Sequence, residues 1–117
     1  MAGGLRFRSE AFKSATVSFP AATTVFLAAS QVVGIQRAGI YRLILSGNLT
    51  TAATFKFQDT GGNDISAVYN LAANGLFILD IPINGDPWWQ ATAAALGLQI
   101  VVVGATITGD IYTALGA

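Results

Sequence analysis
Chemistry in this sequence would have to rest on six carboxylates, six cationic side chains and a set of hydroxyls, because its 117 residues include no histidine and no cysteine. Histidine is the commonest general base near neutral pH, and without it a Ser-His-Asp triad cannot be assembled. Without cysteine there is no thiol nucleophile, no zinc-thiolate site and no disulfide framework. Acid–base work by carboxylates or lysine remains chemically open. The one pair that invites it is Asp80 with Asp86, in the manner of a glycosidase. Asp80, however, alternates away from Phe77 and Leu79 and reads as a solvated strand residue, and Asp86 stands before Pro87 as a turn former. Residues 59–64 offer Asp59, Asn63 and Asp64 as oxygen ligands. Calcium asks for about six to eight oxygens, and the EF-hand spacing is absent, so the segment reads as a polar hairpin loop. Gly3-Gly4 and Gly61-Gly62 lack the lysine and the strand-to-helix context of a phosphate loop. The expectation is a protein without catalysis, cofactor or metal.

The side chains best suited to binding are Trp88 and Trp89, which follow Asp86-Pro87. Adjacent residues of one strand point to opposite faces. In one strand, one indole enters the core while the other faces out; in a loop, both can be held against neighbouring surface. Three uses compete: capping of the core, a contact with a neighbouring subunit, tryptophan being enriched at interface hot spots, and a sugar-stacking platform. Arg6, Phe7 and Arg8 complete the set of interface candidates.

These residues must be positioned by strands, because the hydrophobic period is two almost everywhere. Leu5 and Phe7 alternate with Arg6 and Arg8, and Ala15, Val17 and Phe19 share a face up to Pro20, which cannot donate to a ladder. A short strand is expected over 24–27. Over 38–46, Tyr41, Leu43 and Leu45 are expected on one face, with Ile40, Arg42 and Ile44 on the other. Phe55 and Phe57 point inward from a strand over 53–58, and residues 65–69 pair back across the 59–64 loop. Gly47-Asn48 and Asn74-Gly75 are turn signals. Phe77, Leu79 and Ile81 share a face of a strand over 76–81. The apolar run 98–103 reads as a strand buried on both sides, and Ile107 and Ile111 face inward from a last strand over 106–113. The only candidate helix is the alanine-rich stretch 92–96, closed by Gly97. The reading is all-β: a β-sandwich or jelly roll of seven or eight short antiparallel strands. Residues 1–10 are expected to form a mobile arm with a first short strand, and 11–117 a single β-sandwich domain.

Composition sharpens the functional class. The chain is 53% hydrophobic but only 10% charged, against roughly 25% charged in an ordinary domain. A domain of this size cannot bury all its apolar residues, so apolar patches are expected to face partners. Net charge is zero and the basic residues are scattered, which excludes a nucleic-acid footprint. No signal peptide is visible. Residues 87–109 are uncharged but are interrupted by Gln90, Gly97, Gln99 and Gly104, unlike the about 20 apolar residues of a membrane span. A closed homo-oligomer, a trimer, is expected.

Over 76–113 the order of motifs resembles one found in small structural proteins of tailed bacteriophages. Asp86-Pro87 and Trp88-Trp89 are followed by Gln90-Ala91-Thr92, Ala95-Leu96-Gly97-Leu98, an apolar strand and Thr108-Gly109-Asp110-Ile111-Tyr112. Ala93 and Ala94 stand where that pattern carries glycine. The resemblance implies a jelly-roll virion protein, such as a head decoration or cement protein. It would be made in the host cytoplasm, form trimers and bind the major capsid protein or another virion protein. A carbohydrate- or receptor-binding module of a fibre is the alternative.

Overall fold
The computed structural model describes the backbone of residues 12–32 and 34–116 and the side chains of 18–32 and 34–116. Its strands are β1 (Phe12–Phe19), β2 (Thr23–Leu27), β3 (Arg37–Ser46), β4 (Ala53–Asp59), β5 (Tyr69–Leu71), β6 (Leu76–Leu79), β7 (Trp89–Gln90), β8 (Leu98–Val103) and β9 (Ile107–Gly116). A single 3-10 turn, Ala29–Gln31, is the one helical element among the described residues. Two antiparallel sheets pack as a sandwich, one ordered β1-β9-β3-β6 with β7 also on β3, the other β2-β8-β4-β5.

The pairing has one simple origin. β1 pairs β9, β2 pairs β8, β3 pairs β6 and β4 pairs β5, all antiparallel. These are the rungs of one long hairpin whose tip is the β4–β5 connection. Rolling that hairpin sets β9 beside β3 and β8 beside β4, which is the winding of a jelly roll. Among the described residues eight strands make the roll, and the two-residue β7 is a ninth, appended to β3.

The core lies between the sheets. Phe55 and Phe57 of β4, Leu98, Ile100 and Val102 of β8, and Ile107 and Ile111 of β9 are buried. Phe55 meets Phe77 edge-on with ring centroids 5.1 Å apart, a favoured aromatic geometry. The alternation expected over 53–58 is present, with Thr54, Lys56 and Gln58 half-buried on the other side.

Five local expectations are revised. In β3 the register against β9 slips between Ile40 and Arg42. That bulge inserts Tyr41 and inverts the alternation, so Ile40 joins Leu43 and Leu45 in the core cluster. β8 is buried on one face only: Leu98, Ile100 and Val102 point in while Val103 is exposed, because the sandwich has just two layers. Residues 92–96 form no helix. Ala95 has φ 63° and its N–H donates to Gln36 O, so tertiary bonds replace helical ones. Ile81 is exposed, since β6 ends at Leu79 and the Ile81 N–H is taken by the Asp80 carboxylate. The return strand of the 59–64 loop is β5, paired to Ala53–Phe55, with only a bridge from Gln58 to Asp64 before it. The faces expected for Ala15 and Val17 lie outside the described side chains. Among the described residues no helix is long and apolar enough to cross a membrane.

Candidate interaction surface
β6 and β7 both lie along β3, yet they are not one strand. Leu79 stands opposite Leu43 and Trp89 opposite Ile40. The chain between them leaves the sheet as a loop over 80–88. Pro82 and Pro87 explain the departure, because neither can donate to the β3 ladder. At its return Trp88 N–H donates to Ile40 O at 2.8 Å, and Ala91 N–H to Ala38 O at 2.9 Å.

The loop is pinned at its base and folded at its tip. Trp88 Nε1–H donates to Asp80 O at 2.7 Å, joining its two ends. Arg42 Nε donates to Asp80 Oδ1 at 3.1 Å, and the Arg42 guanidinium lies 5.1 Å from the Tyr112 ring centroid. Gly85 N–H closes a turn onto Pro82 O, and Asp86 N–H donates to Asn84 Oδ1. Pro87 packs over Gly39, where a Cβ would come within 2.8 Å of Pro87 Cβ.

What this frame presents is apolar. Ile83 is wholly exposed at the turn, with Ile81 and Trp88 (43% exposed) beside it around a shallow hollow. On the outer face of the sheet, Leu76 and Ile78 of β6 are also exposed, and Ile78 faces Ile44 across the ladder. Asp110 lies on the other side of Ile44 in the same row. The result is an aliphatic strip running along the free edge of the sheet into the pinned loop.

The tryptophans divide at the boundary between the loop and β7. Trp89 turns inward, 5.2 Å from Phe57 and 5.8 Å from Tyr69 by ring centroids. Trp88 faces outward with its N–H already satisfied. Arg6, Phe7 and Arg8 lie outside the described residues. Ile81 and Ile83 were missed as surface candidates. Their signal is visible in hindsight: two isoleucines flank Pro82 just ahead of Asn84-Gly85, so no strand can bury them.

The other polar constellation serves the fold. Asp59 ends β4 with its side chain fully buried. Its carboxylate accepts from Gly61 N, Asn63 N, Asn63 Nδ2, Thr92 N and, at 2.6 Å, Thr92 Oγ1. Burial pushes its pKa up, but the hydrogen bonds from Thr92 and Asn63 outweigh that and hold the carboxyl below its ordinary value. Asp64 binds Gln58 Nε2 at 2.8 Å and Lys56 Nζ at 3.0 Å, and these contacts lower its pKa in turn. Both Asp59 carboxylate oxygens and Asp64 Oδ1 are thus engaged by N–H and O–H donors. Comparison of the chain with protein-family models, curated protein sequences and solved structures yields no match.

Proposed function
We propose that this protein is a non-enzymatic assembly component that docks through the strip formed by β6 and the 80–88 loop. The observation that carries the reading is Ile83, an isoleucine wholly exposed at the tip of a loop pinned at both ends. An apolar side chain held rigidly in water gains by burial, and a preformed surface loses little conformational entropy on docking. Leu76, Ile78 and Trp88 extend the same patch. Low charge and the absence of histidine and cysteine favour assembly over catalysis. With the resemblance to phage structural proteins, the setting that fits is a homo-oligomeric decoration or cement protein on a virion shell. Preferential binding to the assembled lattice over its isolated subunits would stabilise the lattice by mass action.

Sedimentation velocity and native mass spectrometry test the reading. The wild-type chain should form a closed oligomer at micromolar concentration, and Ile83→Asp should give a folded, smaller species. A wild-type monomer, or full assembly of Ile83→Asp and Ile78→Asp alike, would refute it. Intact assembly of Trp88→Ala with loss of glycan binding would favour the fibre-module alternative.

A further inference from the structure
We infer that the outer edge of β6 is completed by β6 of a second copy of this chain, paired antiparallel about a two-fold axis at Phe77; this rests on the proposed docking role and names its partner. Gly47 N–H donates to Gly75 O at 2.9 Å. That carbonyl shares a trans peptide unit with Leu76 N–H, and the two point opposite ways, so Leu76 N–H is aimed away from β3. The strand alternates from there. Phe77 and Leu79 direct their backbone groups to β3, while Leu76 and Ile78 turn theirs off the edge. Among the described residues no strand lies along that side. Edge strands are ordinarily guarded by a charge, a proline or a bulge. β1 and β2 each carry a bulge, and β5 has only three residues. β6 is Leu-Phe-Ile-Leu and pairs β3 without a register shift, so it holds no such guard.

A copy of β6 fits this edge at both ends. With the axis at Phe77, Leu76 stands opposite the partner's Ile78, and Ile78 opposite the partner's Leu76. Every N–H and C=O turned off the edge is then satisfied, and exposed aliphatic side chains meet in cross-strand pairs. The same register carries Asn74 to the level of the partner's Asp80. The Asn74 side chain makes no hydrogen bond among the described residues, and only Oδ1 of Asp80 is engaged, by Arg42 Nε and Ile81 N. An amide donor thus meets a carboxylate at each end of an apolar centre. Centring the axis on Ile78 instead brings Asp80 against the partner's Leu76, which sets a charge against leucine. Antiparallel pairing also sets each 80–88 loop at the partner's β5–β6 turn, the end where Leu49 stands exposed. A two-fold contact uses both edges and stops there, so it builds a dimer in place of the trimer expected from the sequence.

The chain has no cysteine, so introduced thiols report the register. Opposite residues of a hydrogen-bonded pair lie about 5.5 Å apart at Cα, within the reach of a disulfide. Leu76→Cys and Ile78→Cys chains, mixed and gently oxidised, should give a disulfide heterodimer, while neither variant alone gives its homodimer. Ile78→Pro removes an N–H that β3 does not use. It should leave a folded chain whose dimer dissociates at least about tenfold more readily. Hydrogen exchange separates a second copy from one of the chain's own segments: the Leu76 and Ile78 amides should be protected in concentrated protein and lose protection on dilution. Protection that survives dilution to monomer would overturn the proposal by placing an intrachain segment on the edge. So would a homodimer from Ile78→Cys alone, which needs the other register. No heterodimer, while Ile83→Asp still dissociates the oligomer, would also overturn it and leave the docking reading standing. No heterodimer with Ile83→Asp fully assembled would remove both.

Discussion
Replacing Asp59 tests how the β4–β5 connection is held to the segment that follows β7. The carboxylate is fully buried and receives five donors, two of them from Thr92, 33 residues away. It ties the β4–β5 connection to the segment that follows β7. A hydrogen bond to a charged group contributes about 1.5–3 kcal/mol, and a buried donor left unpaired costs about 1–3 kcal/mol. Gly61, Asn63 and Thr92 are all exposed residues whose freed donors can turn to water, so the loss is that of the charge-assisted bonds themselves. Asp59→Ala should therefore cost about 1.5–3 kcal/mol. Asp59→Asn keeps the shape but turns an N–H donor toward one set of donors, and should cost about 1.5–3 kcal/mol. Urea unfolding at fixed protein concentration reads both values, because oligomerisation would otherwise shift the midpoint. The pH dependence gives a second check. The folded pKa lies below the unfolded one, so this stabilisation is complete above the unfolded value, ordinarily 3.8, and is lost as pH falls through the folded pKa. Asp59→Asn should lack that part of the acid sensitivity. A loss below about 1 kcal/mol for Asp59→Ala, the size of an ordinary substitution, would refute the idea that this carboxylate joins the two segments.

The remaining predictions concern the docking loop and its support. Trp89→Ala should lower folding stability by about 3–5 kcal/mol as a truncated core aromatic, whereas Trp88→Ala should stay folded and lose at least about 2 kcal/mol of assembly energy; thermal unfolding and sedimentation of both variants separate these effects. Gly39→Ala should push Pro87 off its seat, at about 1–3 kcal/mol, and raise solvent access to Trp88, measurable by acrylamide quenching in a Trp89→Phe background. Gly109→Ala should be the most damaging glycine substitution tested. Its φ is 148° and a Cβ would collide with the Ile44 carbonyl, so soluble yield and circular dichroism should both fall sharply.

The strands were legible because a half-buried sheet imposes a period of two on its residues. Phe55 with Phe57, Phe77 with Leu79, and Ile107 with Ile111 all point as that period requires. A division of Trp88 and Trp89 was open in the sequence, but the pairing of Trp89 with Ile40 turned one indole in and the bond from Trp88 Nε1–H to Asp80 O held the other on the loop. Charge content and the missing histidine and cysteine were properties of the sequence alone, and they bounded the chemistry before any fold was known. The rest required partners distant in the chain. The bulge at Tyr41 exists only against β9, and without it Ile40 would face outward. Residues 92–96 had a helical composition but were drawn into bonds with Asp59 and Gln36. The 80–88 loop became a docking candidate only because β6 and β7 return to the same edge of β3. Local sequence sets which face of a strand is apolar; the rolling of the hairpin decides which of those faces meets another sheet and which is left in water.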